Sequence, residues 1–130
     1  MGNNCLTVAL SKGTLLKPTV ALLQKANLPV EGLHEDSRNM VFTYEESNIK
    51  YIMCRPTDVP AYVEYGAADV GIVGKDVIVE QGKDVFEMVD LKYGYCRFVV
   101  AVPAEMKNCS LKDLKYKRVA TKFPVVAERY

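Results

Sequence analysis

Short apolar runs of strand length alternate with helical patterns along the chain, and this alternation constrains the fold more than any other feature. The predicted strands cover residues 5–10, 40–44, 49–54, 69–73, 85–91, 96–102 and 118–121. Between them, Leu16, Val20 and Leu23 form an i, i+4, i+7 stripe that predicts a helix ending at Asn27 and Pro29. Further helices are predicted from a cap at Thr57 or Asp58 to Gly66, over residues 75–81, after Ser110 and over residues 123–130.

Strands interleaved with helices predict an α/β domain with a largely parallel sheet. Residues 40–44 and 49–54 are separated only by a short polar loop, which predicts a β-hairpin and one antiparallel pair. The last predicted helix starts at Phe123-Pro124 and reaches Tyr130 without a glycine or a cap. We therefore expect either a frayed helix or a sequence cut inside an element.

Charge and composition exclude several classes of protein. Lys and Arg number 17 and Asp and Glu 16, so the net charge of +1 lacks the basic surplus of a nucleic-acid binder. With 49% apolar and 25% charged residues, the chain is typical of a globular domain. No apolar run approaches membrane-spanning length, and no secretory signal is recognisable, so we expect a cytoplasmic protein without membrane contact.

The cysteines and the single histidine predict no metal site. Cys5, Cys54, Cys96 and Cys109 are widely spaced, and His34 adds no cluster of ligands. In a cytoplasmic protein these cysteines are expected to be reduced thiols, most of them small buried apolar groups.

Basic residues follow two of the predicted strands. Ser11-Lys12-Gly13 lies between the first strand and the first helix, and Arg55 directly follows the strand over residues 49–54. Ligands of open α/β sheets bind outside the carboxyl ends of the strands, and helix N-termini attract anions. Together with Arg38, these residues are candidates for binding a polyphosphate through Lys12 and two guanidinium forks. The alternatives are a plain turn and solvated surface arginines.

Glycines over residues 66–82 match no nucleotide-binding pattern. Asp69 and Asp76 stand where a P-loop would need glycine and a hydroxyl residue, and no G-x-G-x-x-G run occurs. Taken alone, Gly66, Gly71, Gly74 and Gly82 are therefore better explained as turns and helix ends than as a phosphate-binding loop. No nucleophile–base pair is recognisable either, because His34 is isolated and Asp58, Asp69 and Asp76 are better explained as caps or orienting groups.

One long run carries a family resemblance. Residues 58–77 read D-V-P-A-Y-V-E-Y-G-A-A-D-V-G-I-V-G-K-D-V, which resembles the signature of the ATP phosphoribosyltransferase family. Further similarities occur in order at residues 10–13, 37–39, 55–56, 90–91, 96–97 and 119–124. The resemblance covers nearly the whole chain, and the long run is highly specific.

The resemblance implies an enzyme that joins N1 of ATP to C1 of phosphoribosyl pyrophosphate, with Mg²⁺, and releases pyrophosphate. It also implies a periplasmic-binding-protein-like (type II) fold of two lobes. The first, incomplete lobe would span residues 1–92, and the second would begin over residues 93–130. A homo-oligomer, or a hetero-oligomer with a histidyl-tRNA-synthetase-like regulatory subunit as in the family's short form, is expected.

The family's functional residues carry over onto matching positions only. Lys12, Arg38 and Arg55 fall on cleft-facing basic positions and are expected to be catalytic. Substrate binding is expected from Ser11, Gly13, Asp69, Gly71, Gly74, Thr121 and Lys122.

The chain departs from the family pattern at two points. Thr14 replaces the usual arginine of the first loop, and an acidic residue followed by T-G-x-T, the family's phosphoribosyl-phosphate loop, has no counterpart. We therefore expect a truncated chain that is inactive by itself. A solute-binding protein of the same fold and a non-catalytic regulatory domain remain as alternatives.

Overall fold

A computed structural model describes residues 4–130. Contacts between residues divide the chain into two compact units, one ending at Gly94 and the other spanning Tyr95–Tyr130. The boundary lies close to the predicted division between residues 92 and 93. That these units correspond to the two lobes of the family stays a prediction.

A four-stranded sheet organises the first unit, in the order β2-β3-β1-β4. The strands are β1 (Leu6–Ser11), β2 (Val41–Tyr44), β3 (Ile49–Cys54) and β4 (Val70–Ile72). β1 runs parallel to β3 and to β4, whereas β2 pairs antiparallel with β3 as the hairpin. The predicted mixed α/β architecture with a mostly parallel sheet is confirmed.

Alternating side chains of β1 enter two cores on opposite faces of the sheet, as the twofold periodicity of a strand requires. Val8 and Leu10 pack with residues of helix α1 (Leu16–Lys25), including Leu16 and Leu23. Ala9 faces the other way, in a cluster that contains Val59 of helix α2 (Val59–Glu64). Helices therefore cover both faces of the central strand, which explains its nearly continuous apolar sequence.

Local chemistry sets the ends of the other helices. Helix α3 (Lys75–Gln81) ends at Gly82, whose φ of +57° is the left-handed conformation that glycine adopts easily. The short turn Pro56–Asp58 precedes α2, and Asp58 forms no side-chain cap there. The predicted capping role of Asp58 was therefore wrong, because the 3₁₀ turn already begins the helical conformation before this residue.

The second unit, Tyr95–Tyr130, contains short helical elements. Single turns cover Ala104–Met106 and Leu111–Leu114, and the latter starts with a capping box between Ser110 and Asp113. Helix α4 (Pro124–Arg129) opens with proline at its first position, as predicted. Phe98 and Phe123 pack edge to face at 5.0 Å between ring centroids.

Three predicted strands are absent from the described residues: 85–91, 96–102 and 118–121 form no strand. Their apolar side chains are largely exposed, for example Val99 at 70% and Val119 at 78%. An apolar run becomes a strand only when a neighbouring strand accepts its backbone hydrogen bonds, and residues 4–130 provide no such neighbour for these segments.

Gly71 provides a test of how tightly α2 packs on β4. A Cβ at this position would lie 2.6 Å from Cγ1 of Val59 and 3.0 Å from Cγ2 of Val63. We expect Gly71→Ala to lower the free energy of unfolding by about 1–3 kcal/mol, measured from urea unfolding followed by circular dichroism.

The double variant Gly71→Ala/Val59→Ala is the control for this overlap. Because Val59→Ala removes the nearer clashing methyl group, the double variant should lose at least about 0.5 kcal/mol less than the sum of the single variants. Strictly additive losses would contradict this account of Gly71.

Candidate functional site

The carboxyl ends of β1 and β3 lie side by side and place two predicted site residues next to each other along the sheet. Ser11 is in register with Cys54, and the backbone N–H of Lys12 donates to the carbonyl of Cys54 at 2.9 Å. Lys12 and Arg55 therefore leave the ends of neighbouring parallel strands. In open α/β sheets this is the edge where ligands bind.

The hairpin brings the segment of Arg38 to the same edge. Val41 of β2 is opposite Ile52, and the N–H of Met53 donates to the carbonyl of Met40 at 2.7 Å. Because β2 runs antiparallel to β3, residues before Met40 extend past the carboxyl end of β3. The structure thus collects the backbone positions of Lys12, Arg38 and Arg55, and we call this region the carboxyl edge.

Within the described residues, these three cations form no direct ion pair with a carboxylate. Arg38 and Arg55 are exposed and Lys12 is half-buried. Within residues 4–130, none of the three forms an ion pair; the ion pairs there are Lys75–Glu87, Lys83–Glu64 and Lys92–Asp90. The charged groups of Lys12, Arg38 and Arg55 are therefore not held by an ion pair among the described residues.

Ser11 lies at this edge but its hydroxyl is used within the fold. The side chain is only 3% exposed, and its Oγ donates to the carbonyl of Ile72 at 2.8 Å. This bond ties the end of β1 to the end of β4. The structure therefore gives Ser11 a structural partner in place of a free hydroxyl for substrate.

Gly13 combines an unusual backbone conformation with an unexpected partner. Its φ is +97°, which only glycine adopts without strain, and its N–H donates to Oε2 of Glu35 at 2.9 Å. Glu35 was not identified from the sequence as a site residue. No local pattern could reveal this contact, since the two residues are 22 positions apart.

Asp69 does not join the other candidates. Its carboxylate accepts the N–H of Thr7 at 2.8 Å, and its own N–H donates to the carbonyl of Thr7. Thr7 lies near the start of β1, about 13 Å along the strand from Ser11 at about 3.3 Å per residue. The structure thus places Asp69 at the opposite edge of the sheet, away from the carboxyl edge, and its part in substrate binding stays a prediction.

The two remaining glycines have packing explanations. Gly71 is in register with Ala9 in the middle of the sheet, where it leaves room for Val59 and Val63. Gly74 lies beyond the carboxyl end of β4 and begins α3, and a Cβ there would overlap the carboxylate of Asp76. Only Gly74 is therefore on the side of the sheet that carries the basic residues.

Thr121 and Lys122 belong to the second unit, and both are exposed. Oγ1 of Thr121 accepts the N–H of Phe123 at 2.9 Å, just before α4. Their proposed contact with substrate stays a prediction.

The thiol of Cys54, which precedes Arg55, has low reactivity. Burial, and to a smaller extent the negative charge of Asp58, raise the pKa of Cys54 from 9.0 to about 11. Cys54 is therefore a neutral thiol at neutral pH, and its place at the end of β3 does not make it a nucleophile.

Neither ligating clusters nor membrane spans are found in the part of the chain that the structure describes. Residues 4–130 contain no group of three or more His, Cys, Asp or Glu side chains arranged to hold a metal ion. No helix over these residues has the length and hydropathy needed to cross a bilayer.

Comparison with known proteins identifies the family. The family model described as ATP phosphoribosyltransferase matches residues 55–130, which is more than half of the chain. The chain belongs to the ATP phosphoribosyltransferase family. The run over residues 58–77, which includes all of α2 and β4, lies within the matched part.

Individual members of the ATP phosphoribosyltransferase family are similar over the full chain. The ATP phosphoribosyltransferase of Syntrophomonas wolfei is 69% identical over 130 residues, and that of Moorella thermoacetica is 56% identical over 135 residues. Both alignments cover 100% of this chain, but only 60% and 59% of the relatives. The chain thus spans about three fifths of the length of these relatives.

A solved structure of a family member is also similar to part of this chain. The ATP phosphoribosyl transferase (HisG:HisZ) complex from Thermotoga maritima matches with a TM-score of 0.53 and 28% identity, over 65% of this chain and 39% of that chain. The mixed α/β arrangement described above is therefore shared with a solved member of the family.

The role of Ser11 can be tested by removing its hydroxyl. Because Ser11→Ala leaves the carbonyl of Ile72 without this donor in a largely buried position, we expect a loss of about 1–2 kcal/mol in the free energy of unfolding. The exposed hydroxyl of Ser47 provides the control, and Ser47→Ala should change stability by less than about 0.5 kcal/mol. Equal stability of Ser11→Ala and the parent protein would leave the hydroxyl free for another role.

Proposed function

We propose that the full-length protein transfers the phosphoribosyl group of phosphoribosyl pyrophosphate to N1 of ATP and releases pyrophosphate. This reaction is the first step of histidine biosynthesis. The observation that carries the proposal is the convergence of Lys12, Arg38 and Arg55 at one edge of the sheet without carboxylate partners within residues 4–130. Membership of the ATP phosphoribosyltransferase family supports the same reaction.

The chemistry explains why cations are needed and a strong base is not. Displacement at C1 of the sugar builds positive charge on the ribose and negative charge on the departing pyrophosphate. Fixed cations directed at that pyrophosphate stabilise the transition state more than the ground state. The adenine ring nitrogen is already a nucleophile, so no side chain has to remove a proton before the attack.

In this proposal the three cations have related roles. The Arg38 and Arg55 guanidinium groups can each bind two phosphate oxygens at once, because the planar fork of arginine matches the spacing of those oxygens. Lys12 adds a point charge in the loop before α1, and the first backbone N–H groups of that helix also favour an anion. Gly13 allows the backbone of the first loop to approach the ligand closely, and Gly74 lies at the same edge, before α3.

Mg²⁺ belongs to the proposal as a companion of the substrate phosphates. Residues 4–130 do not fit a metal site of their own, because they contain no cluster of three ligating side chains. Mg²⁺ characteristically binds phosphate oxygens and retains several water molecules, so it can arrive with the substrates.

Membership of the family also supports proposals about the cellular location, the complete fold and the assembly of the protein. We propose a cytoplasmic enzyme with the two-lobed, periplasmic-binding-protein-like (type II) fold, in which residues 96–102 and 118–124, with Thr121 and Lys122, contribute to the second lobe. The solved neighbour from Thermotoga maritima is a HisG:HisZ complex, which supports assembly with a regulatory subunit.

Arg55 gives the decisive variant. We expect Arg55→Ala to slow pyrophosphate release from ATP and phosphoribosyl pyrophosphate at least about tenfold, equivalent to about 1.4 kcal/mol in transition-state stabilisation. The measurement is a coupled pyrophosphate assay on the full-length protein with Mg²⁺ and, where it is required, the regulatory subunit.

Lys25→Ala is the matched loss of a cation, because Lys25 lies at the exposed end of α1, away from the carboxyl edge. Its rate should stay within about twofold of the parent rate. An unchanged rate for Arg55→Ala would remove Arg55 from the mechanism.

Binding of one solute without pyrophosphate release by the parent protein would favour a solute-binding protein instead.

A further inference from the structure

The contact between Glu35 and Gly13 is a place where a carboxylate meets the carboxyl edge. Oε2 of Glu35 accepts the Gly13 N–H at 2.9 Å, in the loop between β1 and α1. Lys12 precedes this glycine, but Glu35 forms no ion pair with Lys12, Arg38 or any other cation within residues 4–130. The negative charge of Glu35 is therefore held at the loop by a backbone donor.

The backbone around this bond is open. Among the described residues other than its chain neighbours, no heavy atom lies within 4 Å of the position that a Cβ on Gly13 would occupy. A cavity of about 400 Å³ adjoins the bond, and its wall includes Gly13, Glu35, Lys17 and His34. Leu16, Val20 and Leu33 also line it and make its surface mostly apolar, so a phosphate that replaces Glu35 would bind at its rim.

Glu35 is also free to leave. Its side chain is exposed, and the hydrogen bond to Gly13 is the only bond of its carboxylate to the described residues. A carboxylate that swings into water keeps its hydration, whereas the Gly13 N–H then needs another acceptor. A phosphate oxygen is the acceptor that the proposed substrates supply, and its charge is repelled as long as Glu35 remains in place.

We propose that Glu35 is an internal anion that occupies the Gly13 N–H until a substrate phosphate oxygen replaces it, which makes Glu35 a determinant of polyphosphate affinity. The inference rests on the proposed function, because it takes the carboxyl edge as the phosphate site. Glu35 acts as a competitor of the substrate and is not itself a catalytic residue. Each binding event thus includes the exchange of one anionic acceptor for another at the same N–H.

The test is the affinity for inorganic pyrophosphate, since this measurement needs no turnover. Glu35→Gln keeps an oxygen acceptor for the Gly13 N–H but removes the charge that competes with the ligand. We expect its dissociation constant for pyrophosphate, measured by calorimetry on the full-length protein, to fall at least about threefold. The KM for the phosphorylated substrates should fall in parallel, while kcat changes less than about twofold.

Asp36→Asn is the matched control, because Asp36 is the neighbouring exposed carboxylate and forms no hydrogen bond or ion pair within the described residues. It removes the same charge one position away and should leave the dissociation constant within about 1.5-fold of the parent value. An equal gain of affinity in both variants would indicate general loss of negative charge and would overturn the specific role of Glu35.

A second readout locates the exchange. With ¹⁵N-labelled glycine, the Gly13 amide resonance should move as pyrophosphate is added, and the midpoint should occur at a lower concentration in Glu35→Gln. Glu35→Ala, which removes the acceptor entirely, should also bind pyrophosphate more tightly than the parent protein.

Two results would overturn the inference. If Glu35 serves only to order the first loop, both Glu35 variants bind pyrophosphate more weakly than the parent protein. A Gly13 resonance that does not respond to pyrophosphate, including the case of no binding at all, would equally rule out the exchange. Failure of the proposed function has a different signature, because the parent protein would then release no pyrophosphate from the two substrates whatever Glu35 does.

Discussion

The parallel pairing of β1 with β3 and β4 is the constraint on which the rest of the first unit depends. Because β1 is hydrogen-bonded on both sides and packed on both faces, its residues have to be apolar or internally bonded, and Leu10 and Ala9 are completely buried. Parallel pairing also makes neighbouring strands end at the same edge. The positions of Lys12 and Arg55 follow directly from this geometry.

The carboxyl edge illustrates how stability and function compete for the same backbone. Ser11 and the N–H of Lys12 are used to join the three strand ends, whereas the side chains of Lys12, Arg38 and Arg55 are left without carboxylate partners within residues 4–130. Like charges at one edge repel each other, and the anionic ligand of the proposed function would offset this repulsion. Glu35 meets this edge at the Gly13 N–H and forms no ion pair with a cation within residues 4–130.

Most elements of the first unit were predictable because their signals are local. The stripe of Leu16, Val20 and Leu23 identifies α1, and the polar loop between two short apolar runs identifies the hairpin. The apolar runs at residues 85–91, 96–102 and 118–121 carry equally strong local signals, yet they form no strands among the described residues. A strand depends on a partner that lies elsewhere in the chain, and no local pattern contains that information.

The sequence by itself determined the family and a mixed α/β fold with a mostly parallel sheet, and it predicted the basic residues of the site. A long specific run, the hydrophobic periodicity and cations that directly follow strands can all be recognised from local sequence. Only the tertiary structure decided which candidates share an edge. It placed Asp69 beside Thr7 at the opposite edge, assigned Gly71 to packing against Val59, and brought Glu35 to Gly13. Strand register and the path of the loops set these distances, and both depend on pairing between residues far apart in the chain.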